Sequence, residues 1–165
     1  MLQLARPLFI LVLVISTILI GVTTDRLPVQ LASHFGAGGV PNGWMRRNGY
    51  LLFMLAFAVG VPLVVVLSMT VLPRRMVKGI NIPHRDYWLD PARREATLRY
   101  IETHAYWLGS LIAVFIAAMH LLLIEANATQ PPHLPGPLFV TVLVMFLVTL
   151  GILMLTLVLH FRHKS

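Results

Sequence analysis

There is no cysteine among the 165 residues, which removes disulfides, thiolate metal sites and cysteine nucleophiles together. Any metal would then need imidazole, carboxylate or carbonyl ligands. Charge is almost as scarce: 12% of residues are Asp, Glu, Lys or Arg, about half of the roughly one quarter usual in a soluble domain. Other signatures are also missing. Ser16, Ser33, Ser68, Ser110 and Ser165 have no nucleophile-elbow context, and no HExxH-like spacing occurs. Gly36-Ala37-Gly38-Gly39 lacks the Gly-Lys-Ser/Thr ending of a nucleotide cradle. No repeat of fixed period and no GxxxG pairing motif is found within the apolar runs.

What is abundant is apolar surface, 58% of residues with a mean hydropathy of +0.81. It falls in separated blocks of about 20 residues, the length a helix needs to cross a hydrocarbon core of about 30 Å. The expected fold class is therefore all-α: a polytopic membrane protein, a single domain over 1–165, with four transmembrane helices at about 7–24, 50–72, 105–126 and 138–160. An outer loop at 25–49, a cytoplasmic loop at 73–104 and a short outer loop at 127–137 connect them. The first block follows Arg6 as a signal peptide would, but Gly21-Val22-Thr23-Thr24 is a poor cleavage site, and the block is read as an uncleaved helix.

Local chemistry refines this outline. The outer loop is rich in Gly, Pro and Asn, and turns rather than helix are expected there. Pro62 should kink the second helix and Pro73 should end it. Asp90-Pro91 reads as an N-cap followed by proline at the first helical position, so a helix is expected to run from Pro91 unbroken through the third span. Glu95 and Arg99 stand four apart in the favourable order, and Tyr100, His104 and Trp107 share one face.

The net charge of +7 comes from basic residues placed in short loops beside the spans, which argues for a lipid surface and against nucleic acid. With four spans, one side carries Arg6, Arg74, Arg75, Lys78, Arg85, Arg93, Arg94, Arg99, Arg162 and Lys164; the other carries Arg26, Arg46 and Arg47. Ten against three places both termini in the cytoplasm (N-in/C-in) and the Gly-rich loop outside. Trp44, Tyr50, Tyr87, Trp88, Tyr106 and Trp107 lie near span ends, where amphipathic rings favour the head-group layer.

Two stretches resemble a known family. The outer loop holds Leu27-Pro28, then His34-Phe35, then Gly39-Val40-Pro41-Asn42-Gly43-Trp44. This resembles the Leu-Pro, His-Phe, Gly-x-Pro-Asp-Gly-Trp signature of a bacterial membrane family, the domain of unknown function 1648. A larger relative there is the immunity protein against a sporulation-delaying toxin. Ile82-Pro83-His84-Arg85-Asp86-Tyr87-Trp88-Leu89 looks like a segment of the family's short four-helix branch. Asn42 departs from the family's usual Asp, and Leu31-Ala32 from its usual Ile-Pro. The resemblance implies a multi-pass protein of the bacterial inner membrane, and implies fold and location more than activity.

The residues singled out are a recognition loop (His34, Phe35, Gly39, Pro41, Asn42, Gly43, Trp44), a cytoplasmic motif (Arg85, Asp86, Tyr87, Trp88) and two intramembrane polar groups, His120 and Asn127. An ionisable group within a span tends to face the bundle interior, and Asn127, seven residues on, should look the same way as His120. His34, His120, Glu125 and His133 fall toward the outer side and are candidate metal ligands, enough in number for zinc. His120 and Glu125, however, stand about 140° apart around a helix. The favoured reading is a non-enzymatic protein without cofactor, acting in recognition or as an accessory subunit with a protein partner. The alternative is a metal-dependent membrane enzyme or small transporter using His34 and His120. A single interior break, Pro62, argues against transport.

Overall fold

A computed structural model describes residues 2–162; His163, Lys164 and Ser165 lie outside the described residues, as does the side chain of Lys78. The long helices are α1 (Leu2–Thr23), α2 (Arg47–Arg75), α4 (Arg94–Ala128) and α5 (Gly136–Arg162), with a short α3 (Arg85–Trp88) before α4. All four long helices are long and apolar enough to cross a membrane.

The loop between the first two long helices contains more order than its turn-forming residues suggest. Strands β1 (Gln30–Phe35) and β2 (Pro41–Arg46) pair antiparallel, joined through a 3-10 turn at Ala37–Gly39. The all-α expectation thus holds for the spans, and a two-stranded ribbon is added to it. An isolated ribbon of this length is marginal in water; here Leu31 and Ala32 are fully buried against the helix ends.

Several helix limits differ from the sequence expectation. α2 begins at Arg47 and runs through Pro62 and past Pro73 to Arg75. Pro73 sits only two residues from the end, where the bond from Met76 N–H to the Leu72 carbonyl at 2.8 Å closes the helix. Its missing N–H therefore costs one bond and does not stop the helix. Asp90-Pro91 does not open α4. The Asp90 carboxylate accepts from Ala92 N–H at 3.0 Å, and the Asp90 carbonyl accepts from Arg93 and Arg94 N–H, both at 2.9 Å. These bonds make a separate turn, and α4 starts at Arg94. From there it is unbroken for 35 residues, about 50 Å, and it includes Asn127, which had been expected in a loop.

α4 lies at the centre and packs on α1, α2 and α5. Its line of contact is small: Ala105, Gly109 and Ala113 repeat every four residues and are all buried, the spacing that lets membrane helices approach closely. A Cβ on Gly109 would stand 2.6 Å from Val66 Cγ2 and 2.8 Å from Phe9 Cε2. Three helices therefore meet where only glycine fits. α5 is peripheral, with Phe161 its one buried residue among those described.

Two apolar clusters mark the ends of the bundle. Ile20, Leu27, Leu31, Tyr50, Met54, Ala58 and Ile116 pack beneath the ribbon. Trp88, Ile101 and Phe161 pack at the opposite end, which holds the start of α1 and the end of α5.

Candidate functional site

The ribbon is held on the bundle by Asn127 of α4 and Arg47 at the start of α2. Asn127 receives the Ala32 N–H on its Oδ1 at 2.8 Å and donates through Nδ2 to the Ala32 carbonyl at 2.9 Å and to the Leu123 carbonyl at 2.9 Å. The carboxamide thus acts as an extra strand residue beside β1. Arg47 adds bonds to the Leu27 carbonyl at 3.1 Å and the Asp25 carbonyl at 3.2 Å.

Two turns earlier, His120 is fully buried between α1 and α2. The Thr23 hydroxyl donates to the Leu19 carbonyl at 2.6 Å, so toward His120 Nε2, 2.8 Å away, it acts as acceptor. The ring proton is then on Nε2, and Nδ1 accepts from the Tyr50 hydroxyl at 2.8 Å. Both ring nitrogens are satisfied and the ring carries one proton. The Tyr50 ring stacks on it, with centroids 5.7 Å apart.

The ribbon's exposed face carries His34, Asn42 and Trp44. Ala32 pairs with Trp44 and His34 with Gly43, with a register shift between them. His34 Nδ1–H donates to Asn42 Oδ1 across the ribbon. Asn42, Trp44 and Arg46 alternate outward along β2, and Trp44 is 53% exposed. Pro41 is half-buried. Gly43 lets β2 lie close over His34, whose Cβ would be 3.0 Å from an added methyl. At the tip, Gly38 and Gly39 both have φ of 75°, where a side chain is disfavoured. Gly39 also touches the 127–137 loop: an added Cβ would meet the Leu134 carbonyl at 2.7 Å, and Leu134 N–H donates to the Gly39 carbonyl at 3.0 Å. Beneath the tip, Phe35, His34 and His133 help line a cavity of about 730 Å³ floored by Met119 and Leu123 of α4 and Phe139 and Val140 of α5.

The four candidate metal ligands, His34, His120, Glu125 and His133, each have different surroundings. Among the described residues no group of three or more His, Asp or Glu side chains comes together. His120 is enclosed by Thr23 and Tyr50, His34 faces Asn42, His133 lies against Gly39, and Glu125 is exposed. Loops that share an end of a bundle still need side chains converging on one point.

Arg85, Asp86, Tyr87 and Trp88 form α3 at the far end. Trp88 is buried and its Nε1–H donates to the Phe161 carbonyl at 3.2 Å, while Thr97 Oγ1–H donates to the Trp88 carbonyl at 2.8 Å. Arg93 lies 4.1 Å over the Tyr87 ring. Asp86 is exposed and Arg85 half-buried. Trp88 therefore fastens the connector to α4 and α5. Sequence reasoning passed over Thr23 and took Tyr50 only as an aromatic near a span end, not as a partner of His120. It also passed over Arg74, which bridges Glu95 at 3.3 Å and Glu102 at 3.0 Å; its only signal was a basic residue in the last turn of α2.

Fold and site together define a four-helix protein, its helices suited to a membrane, that carries a clamped ribbon between the first two. Residues 11–59, from within α1 across the ribbon into α2, match the family model described as Domain of unknown function (DUF1648). No curated protein and no solved structure matches the chain.

Proposed function

We propose that the chain is a non-enzymatic, multi-pass protein of the bacterial cytoplasmic membrane whose ribbon recognises a protein partner on the outer side, in the manner of an immunity or signalling protein or an accessory subunit. The observation that carries this reading is the presentation of His34, Asn42 and Trp44. An exposed tryptophan and a paired His–Asn sit on a ribbon that Asn127 clamps by both polar groups of Ala32. A rigid support lowers the entropy cost of binding, and exposed tryptophan is enriched among residues that dominate interfaces. The count of ten basic residues against three supports the ribbon lying outside. The family resemblance supports an immunity-like role. The alternative built on His34 and His120 draws no support from the geometry, since both nitrogens of His120 already have partners.

The test is photo-crosslinking in intact cells with a photoreactive residue at position 44, beside the same residue at Val64 on the lipid-facing side of α2. The expected result is one discrete protein adduct from position 44 that disappears with His34→Ala, while abundance and detergent stability stay unchanged. Equal adducts from both positions, or an adduct indifferent to His34, would overturn the reading.

A further inference from the structure

At the end of the bundle away from the ribbon, a groove of about 450 Å³ runs between the last turns of α2 and α5. Met69 and Leu72 form one wall, Leu157 and Phe161 another, and the connector residues Ile80 and Ile82 close it. Its lining is almost wholly apolar, and it lies between helices suited to spanning a bilayer. Such a slot accepts a hydrocarbon chain with little polar surface to desolvate, Ser68 and Asn81 being its polar lining residues.

The charges around it select among lipids. α2 ends in Arg75, beside Leu72 and Pro73 of the groove, and α5 ends in Arg162, beside Phe161. Both arginines are exposed. Arg85 follows Pro83 of the groove by two residues, and its Nε is the one buried side-chain nitrogen or oxygen without a hydrogen-bond partner among the described residues. The carboxylates of this end are otherwise engaged: Glu95 and Glu102 hold Arg74, and Asp90 caps its own turn. Asp86 is the remaining one. Arginine near a phosphate makes paired, charge-assisted bonds, and basic residues beside a span attract anionic head groups.

We infer that this groove is a specific site for an anionic phospholipid, one acyl chain lying along Leu72, Ile82 and Leu157 and the phosphate held by Arg75, Arg85 and Arg162. The lipid would fasten the connector at 76–83 to α2 and α5, tying the end of one span to the end of another. The inference does not depend on which leaflet the groove occupies, and it stands apart from the ribbon and its partner.

Native mass spectrometry of the full chain in mild detergent, with phosphatidylglycerol and phosphatidylcholine added at equal concentration, tests it. The wild-type protein should retain phosphatidylglycerol at least tenfold better. Arg75→Gln/Arg85→Gln/Arg162→Gln should erase that preference while leaving the melting temperature without added lipid unchanged. Leu157→Trp, which fills the slot, should lower retention of phosphatidylglycerol with the arginines intact. Equal retention of the two lipids by the wild type would overturn the site, and so would a preference that survives both variants. Loss of preference in the arginine variant with no effect of Leu157→Trp would overturn the acyl slot and leave only surface charge.

Discussion

Asn127 at the end of α4 and Ala32 in β1 exchange two hydrogen bonds, 2.8 Å and 2.9 Å, across 95 residues of sequence. Through this pair a membrane-suited helix fixes the position of a ribbon that would be marginal alone.

Asn127→Ala should leave the buried N–H and carbonyl of Ala32 without partners, at a cost of about 1–3 kcal/mol for each group that water does not reach. The expected outcome is faster hydrogen exchange across residues 30–46 with slow exchange retained in α2 and α4. Uniform loosening of the whole chain would show that Asn127 supports the bundle and not the ribbon.

Tyr50 and His120 form the second tie, 2.8 Å apart. Tyr50→Phe leaves His120 Nδ1 without a donor and should lower stability by about 1 kcal/mol, and His120→Phe should cost more because two hydroxyls, those of Thr23 and Tyr50, lose a partner. The double variant should be less destabilised than the sum of the two, since contacting residues couple. Thermal melts of all four proteins in one detergent measure this, and strict additivity would mean that the bond contributes nothing.

Gly109 predicts a steric effect. Gly109→Ala places a methyl 2.6 Å from Val66 and 2.8 Å from Phe9, and overpacking of this kind costs about 1–3 kcal/mol. Val66→Ala in the same chain should restore part of the loss. A Gly109→Ala protein as stable as wild type would show that α1 and α2 can separate freely from α4.

Orientation is checked by fusion. With ten Lys and Arg on the side of the termini against three on the other, alkaline phosphatase attached after Ser165 should be inactive and green fluorescent protein at the same place fluorescent. Active phosphatase would reverse the assignment and put the ribbon inside.

The four apolar helices were legible in the sequence because apolar density over about 20 residues is a local property, and it marks them whatever they pack against. Their exact limits were less so. Pro73 and Asp90-Pro91 carry strong local signals, yet the helix end falls at Arg75 and the helix start at Arg94, where bonds to Leu72 and Asp90 decide the matter. That His120 and Asn127 share a side follows from helical spacing alone, but their partners Thr23, Tyr50 and Ala32 lie between 70 and 97 residues away, and no local pattern names them. The ribbon was hidden for the same reason: Pro41, Asn42 and Gly43 favour turns in isolation, and they become a strand only where buried Leu31 and Ala32 meet the helix ends and Asn127. Likewise the histidines grouped by topology at one end stay apart, because topology fixes which end a side chain occupies, whereas convergence on one point requires packing.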